Sequence, residues 1–545
     1  MLIRMKQLFR YAFMALSLSC ALGLSSCRQD FLELKSTSSL SDKDAEGTPE
    51  GLFGIVNGLH SMMYRYSFGQ YFGNGAPSMN MQLDFLGDDV VNTVPAFHMG
   101  VYRYVDTQNQ RGGDVINYKA WDFYYTLIQH TNIFIRSFNT RLSEKEQKRE
   151  DVRYAKGEAL AFRAYAYHQL VQLYAKRYDP ATSDKDLGVI LRTEDGDLSK
   201  LYSPAHRATV AACYKQIDKD LQESLELLKD LPQKEARNHL RYSTVCGIAA
   251  RVALTKSDWA AAETYAQNAI NKAASSLQVG KELLDGFNNY EAKEWMWGYR
   301  HAETQNPYYG GFNAVYSCNF ENTKAYSWHF AVNRTLYDEL GMKDVRRQWW
   351  YCYDLNQKDL PNDIASRYLE FANGVPRFEI TGQCLKYRVV NPKSTVGDVL
   401  VMRLGEMYYI LAEAQARQNK TAEAQQTLFD IVKTRDAEFA KPTEEGEQLI
   451  EKIFLHKRMD LVFEGVRFFD MKRLKIVPNR LAAKNFDIIR DFKGNGGGPT
   501  FYQRALSRNK GENALDIPKS ADDKLWQFKI PETEYEGNNL CERNP

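Results

Sequence analysis

The chain has 545 residues, with 71 Lys and Arg against 69 Asp and Glu, and a formal net charge of +2 at pH 7. This near-neutral balance argues against nucleic acid as a partner, because proteins that bind nucleic acid carry a concentrated basic surface. A chain of this length buries a large apolar core without help from disulfides or metal. We therefore expect one large domain or two closely packed lobes.

The first residues of the chain have the composition of a secretory signal. Arg4, Lys6 and Arg10 form a positively charged start, and an apolar stretch runs from Ala12 to Leu24. That stretch is too short to span a bilayer, and no later segment approaches the apolar length of a membrane span. The pattern therefore predicts export of the chain.

The residues Leu24-Ser25-Ser26-Cys27 resemble a bacterial lipobox, in which the cysteine becomes the lipidated N-terminus. Cys20 is a weaker alternative, because Ser17 occupies the position where a lipobox has a branched apolar side chain. An uncleaved leader with an incidental cysteine is a further alternative. Several acyl chains on Cys27 are enough for stable anchoring without a transmembrane helix.

Composition and periodicity divide the chain into four parts. We expect a signal peptide at 1–26, a lipidated tether rich in Ser, Thr and Asp at 27–50, an N-terminal region at 51–284 and a C-terminal region at 285–545. The predicted fold class is mainly α, with a helical-repeat lobe packed against an irregular, loop-rich lobe.

The helical prediction depends on apolar residues that recur every three or four positions. A first helix is predicted in "GLFGIVNGLHSMMYRY", followed by a loop rich in Gly, Asn and aromatic residues from Ser67 to about Asp114. Further helices are predicted at 118–138, 151–175, 211–231, 243–273 and 399–435. The last two contain pairs of helices with small residues between them, which is typical of a divergent tetratricopeptide (TPR) repeat.

The segment 295–330 contains eleven Phe, Tyr or Trp among 36 residues, mixed with Gly and Asn. Tyr and Trp offer a flat apolar face that stacks on a sugar ring, while Asn and Arg bond the hydroxyl groups. The alternative is that many of these rings pack the interior of the loop-rich lobe. The cluster as a whole indicates a sugar-binding surface.

Seven stretches, in order along the chain, match motifs of one known family. They are "DFLELKSTSSLSD", "WDFYYTLIQHTN", "KGEALAFRAYAYHQLVQLYA", "YDELGMKDVRR", "VMRLGEMYYILAEA", "HKRMDLVFEGVRFFDMKRL" and "FKIPETEYEGNNLCERNP". Together they resemble the SusD/RagB family of nutrient-binding lipoproteins of Bacteroidetes. Cys541 in the last stretch departs from the family pattern. The resemblance implies a SusD-like fold and a lipid anchor that holds the protein, facing outward, at the cell outer membrane.

The resemblance also implies a binding role. It implies that the protein captures oligosaccharide and delivers it to a SusC-like TonB-dependent barrel transporter. Because helical-repeat surfaces are broad, we expect the transporter to contact the TPR-like lobe and the faces that flank residues 120–270. A peptide ligand, as in RagB-like proteins, is the alternative within the family. A surface glycoside hydrolase and a helical scaffold are alternatives outside it. The sequence contains no HExxH, GxSxG or Walker motif, so we expect neither enzymatic activity nor a cofactor.

We predict that the ligand contacts come from two loop regions that converge on one face. The candidate residues are Tyr71, Asn74, Tyr102, Trp295, Trp297, Tyr309 and Trp328. In the stretch "LGDDV", Asp88 and Asp89 form either a solvated turn, which is the commoner case, or a contact for a cation or a sugar hydroxyl.

Charged residues within two otherwise apolar motifs predict an ion network. Its members are Arg403, Glu406, Glu413, Glu464, Arg467, Asp470 and Arg473, which we place on core helices. Buried charges need partners, and neighbouring arginines hold the pKa of a carboxyl group low. We therefore interpret the network as the junction between the TPR-like lobe and the rest of the protein. The alternative is a carboxylate pair for acid–base hydrolysis.

Six cysteines follow Cys27, with no CxxC pair and no histidine at the spacing of a zinc site. This spacing predicts no metal site. Buried free thiols are the commoner explanation for such cysteines. One disulfide among Cys318, Cys352 and Cys384 is the alternative in an exported protein.

Overall fold

The computed structural model describes most of the chain beyond the tether. The described residues are 47–68, 73, 75–92, 99–113, 115–193, 203–234, 236–305, 312–321, 330–352, 355, 381–491, 498–500, 502–503 and 517–544. The predicted lipidation residue Cys27 lies outside this part of the chain. Among the described residues, none of the helices combines the length and the apolar character that crossing a bilayer requires.

Helices make up most of the described structure. Numbered in chain order, they are α1 (Pro49–Arg65), α2 (Gly75–Phe85), α3 (Met99–Tyr102), α4 (Val105–Gln108), α5 (Ile116–Arg141), α6 (Glu144–Gln147), α7 (Glu150–Tyr174), α8 (Val210–Leu228), α9 (Tyr242–Thr255), α10 (Trp259–Lys272), α11 (Phe312–Tyr316), α12 (Arg334–Asp338), α13 (Leu404–Arg417), α14 (Thr421–Arg435), α15 (Gly446–Asp460), α16 (Arg467–Leu474), α17 (Asn485–Asp491) and α18 (Glu532–Gly537). The predicted fold class is confirmed.

Short strands form two-stranded sheets between the helices. They are β1 (Val90–Asn92), β2 (Trp295–Tyr299), β3 (Phe330–Val332), β4 (Trp350–Tyr351), β5 (Gln383–Cys384) and β6 (Val399–Arg403). Each of the pairs β1–β3, β2–β6 and β4–β5 is antiparallel. Because the strands of each pair are far apart in sequence, they join distant parts of the chain.

Helix α1 shows how local sequence positions a surface. The hydroxyl of Thr48 caps its start by accepting a hydrogen bond from the amide of Gly51, and Pro49 opens the first turn. Its buried face includes Leu52, Val56, Leu59 and Met63, spaced by three or four residues. The opposite side of the helix is therefore left to line a cleft that is described below.

The predicted TPR-like pairing is present in α9 and α10. A short turn separates the two helices, and the carboxylate of Asp258 caps α10 by accepting a hydrogen bond from the amide of Ala261. Buried alanines on both helices allow their backbones to approach closely; they are Ala249, Ala250, Ala253, Ala262, Ala266 and Ala269. Helices α13 and α14 repeat the arrangement, with Ala412, Ala416 and Ala424 buried.

Helix α7 lies at the centre of the helical lobe. Every residue from Gly157 to Tyr174 is buried, because α5 and α8 pack against it on different sides. At Gly157 an added Cβ would lie 2.8 Å from the Cγ atom of Leu228, so the glycine lets α7 and α8 approach closely. A buried ion pair between Arg163 and Asp220, 2.7 Å long, joins the same two helices.

Two element predictions were wrong. The helix predicted from residue 399 begins only at Leu404, because 399–403 form strand β6, which pairs with β2. The loop predicted from Ser67 to about Asp114 contains helix α2, which is buried along nearly its whole length. A helix that is buried on all sides shows no apolar stripe, so periodicity does not reveal it.

The charged residues predicted to form a network lie in buried ion pairs. Arg403 bonds Glu294 and Asp460 at 2.7 Å each and Glu464 at 2.9 Å. Its side chain is 1 % exposed. All seven members were predicted on core helices, but two lie elsewhere: Arg403 ends strand β6, and Glu464 lies in the turn between α15 and α16.

The remaining members pair across helices, and Arg473 also pairs with Asp470 within α16. Arg251 bonds Glu406 at 2.6 Å, and Arg473 bonds Glu413 at 2.6 Å and Asp470 at 2.7 Å. Burial alone would raise the pKa of Asp470, but Lys457 and Arg473 outweigh it and lower that pKa to about 2. A carboxyl group held ionised in this way is a poor proton donor.

Asp88 and Asp89 are neither a solvated turn nor a cation site. Both are buried, and both form ion pairs with Arg458 and Arg467, with the shortest contact 2.5 Å from Arg458 to Asp89. Burial would raise the pKa of Asp88, but the two arginines lower it to about 2. Arg467 belongs to the predicted network, so the two aspartates extend that network toward β1.

The six cysteines that follow Cys27 are buried thiols. Burial raises the pKa of Cys213 to about 11 and that of Cys246 to about 12. They behave as small apolar side chains, as the thiol interpretation predicted.

Candidate ligand-binding cleft

The predicted ligand residues within the described part of the chain are buried. Tyr102, Trp295 and Trp297 each have 0 % of their surface exposed. Trp297 packs edge-on against Phe162 and Tyr165 of α7, with ring centroids 5.9 and 5.6 Å apart. The ligand role predicted for Trp295 and Trp297 therefore needs correction, because a ring without an exposed face cannot stack on a sugar.

Tyr102 is enclosed in the same way. The guanidinium of Arg480 lies 3.7 Å from its ring centroid, and Phe330 of β3 packs beside it at 5.1 Å. The same correction therefore applies to Tyr102. The other candidates, Tyr71, Asn74, Tyr309 and Trp328, lie outside the described residues. The predicted convergence of two loop regions on one face stays a prediction.

A cleft of about 770 Å³ opens beside helix α1, and we call it the α1 cleft. Its lining residues come from four separate segments: Asn57, His60, Ser61 and Tyr64 from α1; Ala236, Arg237, Asn238 and Arg241 from the turn before α9; Ala274 from the chain just after α10; and Tyr290, Glu291, Tyr299 and Arg300 from the chain around β2. The volume lies within the range of small-molecule sites, about 300 to 1,000 Å³.

One face of α1 forms the first wall of the cleft. Each of Asn57, His60, Ser61 and Tyr64 lies three or four residues from two of the others, the spacing that places side chains on one side of a helix. Asn57 is exposed, and Ser61 and Tyr64 are half-buried. Within the described residues the side chains of Asn57 and Ser61 make no hydrogen bond to the protein, so they are available to a ligand.

Tyr64 is held in place by its neighbours. Its ring stacks on that of Tyr299, with centroids 5.2 Å apart and planes 28° apart, and His301 meets it edge-on at 6.2 Å. The amide of Gln305 donates to the Tyr64 hydroxyl at 3.2 Å. The part of Tyr64 that stays exposed is therefore presented in a fixed orientation, which limits the entropy lost on binding a ligand.

The second wall is built around Tyr290. Arg237 donates to the Tyr290 carbonyl at 2.5 Å, and the amide of Asn238 donates to the Tyr290 hydroxyl at 3.0 Å. The guanidinium of Arg300 lies 5.0 Å from the Tyr290 ring centroid and forms an exposed ion pair with Glu291. The carboxylate of Asp398 then accepts from the Tyr290 amide at 2.7 Å, which fixes the backbone of this wall.

The chemistry of the α1 cleft suits a ligand with many hydroxyl groups. Tyrosine rings supply apolar faces, and amide, hydroxyl and guanidinium groups supply hydrogen bonds. This site was not predicted from the sequence, because the ligand contacts were expected in loops rich in aromatic residues. The usable signal was the row of polar residues at helical spacing in "GLFGIVNGLHSMMYRY".

A smaller groove of about 390 Å³ lies between α5 and α18. Its polar groups already serve the fold: Trp121 donates to Glu534 at 3.3 Å, Tyr125 donates to the Ile190 carbonyl at 2.9 Å, and Asn132 donates to the Arg192 carbonyl at 2.9 Å. These bonds fasten neighbouring segments to α5. The α1 cleft, with uncommitted polar groups, is therefore the stronger candidate site.

Two family models together span the whole described part of the chain. One, described as "SusD family", matches residues 254–544, and another, described as "Starch-binding associating with outer membrane", matches residues 30–254. The chain belongs to the SusD family. The family predicted from the sequence motifs is thus confirmed.

Solved structures share the fold of this SusD-family chain. A SusD-like carbohydrate-binding protein from Bacteroides vulgatus is 21% identical, with a TM-score of 0.70, over 91% of this chain and 97% of its own. A putative sugar-binding protein from the same species is 22% identical, with a TM-score of 0.69, over 91% and 98%. A laminarin-binding SusD-like protein is 18% identical, with a TM-score of 0.60, over 91% and 98%. A search of curated proteins found no match.

The α1 cleft draws on both matched parts of this SusD-family chain. The two matches meet at residue 254, within α9. Helix α1 and the turn before α9 come from the first part, and the wall around Tyr290 comes from the second. The predicted boundary between regions 51–284 and 285–545 stays a prediction.

Proposed function

We propose that this chain is a cell-surface lipoprotein that binds a glycan in the α1 cleft and delivers it to a SusC-like TonB-dependent transporter. The observation that carries the proposal is the fixed, partly exposed ring of Tyr64 beside the uncommitted side chains of Asn57 and Ser61. The starch-binding description of the matched family model supports a carbohydrate as the ligand.

Tyr64→Ala tests the site. We expect the substitution to lower the affinity for a bound polysaccharide at least tenfold, because a buried aromatic anchor commonly costs about 2 kcal/mol or more when truncated. Soluble starch and laminarin are the probes, with binding measured by calorimetric titration of the purified protein. Tyr64→Phe keeps the ring and is expected to retain most of the affinity.

Tyr265→Ala is the matched control, since Tyr265 is a half-buried tyrosine on α10, away from the α1 cleft. It is expected to bind as the wild type does. Equal losses in the Tyr64 and Tyr265 variants, or no loss in either, would place the binding face elsewhere. Binding of an extended peptide in place of both polysaccharides would favour the RagB-like alternative.

The proposed anchor is the lipid on Cys27. The lipobox-like stretch that ends at Cys27 and the outer-membrane description of the matched family model support it. We expect Cys27→Ala to take up no labelled fatty acid and to lose its normal membrane fractionation, whereas Cys20→Ala is processed normally. Labelling of the Cys27 variant at the wild-type level would contradict the anchor.

The proposed partner is a barrel transporter that contacts the TPR-like lobe and the faces flanking residues 120–270. Helical-repeat surfaces are broad and suit a stable contact. In gentle detergent extracts of native membranes we expect the protein to co-purify with a large barrel. A purely monomeric profile would count against this partnership.

The proposed activity is binding without hydrolysis. Asp470 and Asp88 are paired with arginine, and their lowered pKa values do not suit a general acid. The purified protein is expected to release no reducing ends from starch or laminarin above the buffer blank. Turnover that a single Asp or Glu substitution abolishes would support the hydrolase alternative.

A further inference from the structure

Three side chains from separate parts of the fold meet behind the α1 cleft. His60 lies on α1, Glu158 on α7 and His239 in the turn before α9. The distance from His60 Nε2 to Glu158 Oε1 is 3.0 Å, and His239 Nδ1 lies 3.0 Å from the same oxygen and 3.3 Å from Oε2. All three ligand atoms lie within 4.8 Å of one another.

The surroundings orient these groups as the outer contacts of a metal site do. The hydroxyl of Tyr299 lies 3.0 Å from Nδ1 of His60, which leaves Nε2 directed at Glu158. The amide of Leu240 donates to Glu158 Oε1 at 2.8 Å. Hydrogen bonds to the far nitrogen of a histidine and to a ligating carboxylate commonly fix the first ligands of a metal.

The pairing differs from that of the other buried carboxylates described above. Asp220 and Asp460 are buried against arginine, whereas the ion pairs of Glu158 are with two histidines. Arginine has no acceptor atom for a metal, whereas a neutral imidazole has one, so here all three paired side chains can act as ligands.

A metal ion can also reach these three side chains from the α1 cleft. Glu158 and His60 are 2 % and 4 % exposed, but the His239 side chain is 25 % exposed and His60 lines the α1 cleft. Two imidazoles with one carboxylate form a donor set that zinc uses when its fourth position stays open. The sequence spacing concealed it, because 98 residues separate His60 from Glu158 and 81 separate Glu158 from His239.

We propose that His60, Glu158 and His239 bind one divalent transition-metal ion of the zinc type at the wall of the α1 cleft, with its remaining position open to the cleft. This departs from the absence of metal that we expected from the sequence. The proposal does not depend on the glycan-binding function, because it concerns the metal content of the protein.

The test is metal binding by the whole purified protein. After chelator treatment and dialysis, ZnCl₂ is titrated by calorimetry and the bound metal is measured by mass spectrometry. We expect about one equivalent of zinc in the wild type and at least a hundredfold weaker binding in His239→Ala, the variant that disturbs the least buried ligand. His206→Ala is the matched control, since exposed His206 contacts Glu542 at 2.7 Å.

The outcomes separate clearly. A wild type that binds no zinc, or a folded His239→Ala that binds as the wild type does, overturns the proposal. A cobalt titration tests the site without a variant. Co²⁺ added to the metal-free wild type is expected to give the visible absorption of a four-coordinate ion, and zinc is expected to displace the cobalt and remove that absorption. Absence of that absorption also overturns it. Failure to bind starch or laminarin leaves these metal readings unchanged and bears only on the proposed function.

Discussion

Strand β2 and the cleft face of helix α1 both contribute tyrosine or tryptophan rings, yet these rings differ in exposure. All five residues of β2 are buried, because α7 covers the strand and β6 pairs with it. Tyr64 on α1 remains half-buried, since its ring has Tyr299 on one side and the cleft nearby. Aromatic composition therefore identifies neither a core nor a binding site until the neighbouring elements are known.

The largest expected effect is in the interior beside β2. Arg403→Ala removes the partner of Glu294, Asp460 and Glu464, and leaving such charges buried costs about 3 to 5 kcal/mol of unfolding free energy. Urea unfolding followed by circular dichroism measures the loss. A variant as stable as the wild type would show that Arg435 and Lys386 alone are enough to neutralise these carboxylates.

Trp297→Ala tests the comparison directly. Removing a fully buried indole from β2 is expected to lower the unfolding free energy by about 3 to 5 kcal/mol, through lost contacts and the cavity left behind. Polysaccharide affinity, measured where the variant is still folded, is expected to stay within about threefold of the wild type, a difference below 1 kcal/mol. A stable variant with tenfold lower affinity would show that β2 is part of the binding surface.

The interior is also expected to be sensitive to acid, because burial lowers the pKa of His168 to about 3, helped by Arg251 and Lys256. Below the usual histidine pKa of about 6.5 the unfolded chain binds a proton that the folded chain does not. Stability is thus lost progressively as the pH falls from about 6.5 toward 3, by about 2 kcal/mol at pH 5. His168→Gln is expected to remove this part of the pH dependence in urea titrations at several pH values.

His206→Gln serves as the control for that measurement. The His206 side chain is 67 % exposed, so this variant replaces a histidine without disturbing the interior. Equal slopes for the His168 variant and the wild type would show that His168 is protonated in the folded protein.

The smallest expected effect is at the rim of the cleft. Arg300→Ala removes an exposed ion pair with Glu291 and the contact over the Tyr290 ring. Such surface pairs contribute about 0 to 1 kcal/mol, so thermal melts of the variant are expected to resemble those of the wild type. A large loss of stability would mean that the Tyr290 wall depends on Arg300 more than on Arg237 and Asp398.

The long helices could be predicted because their signal is local. Helices α5, α7, α8 and α9 lie close to the segments predicted from apolar spacing. Helix α2 and strand β6 were missed, since both are largely buried and their patterns depend on what covers each face. The charged residues of the network were predicted to need partners, but only the fold identified Glu294, Asp460 and Arg435 among those partners.

The sequence by itself determined the family, the mainly helical class and the TPR-like pairing, and it predicts a lipid anchor that stays a prediction. Each of these depends on spacing within a few residues or on ordered motifs along the chain. Only the tertiary structure decided which aromatic residues lie in the core and which line a cleft. It also decided which carboxylates form ion pairs with arginine, and that His60, Glu158 and His239 meet. These outcomes depend on contacts between residues tens to hundreds of positions apart, and side-chain direction at such distances is set by packing.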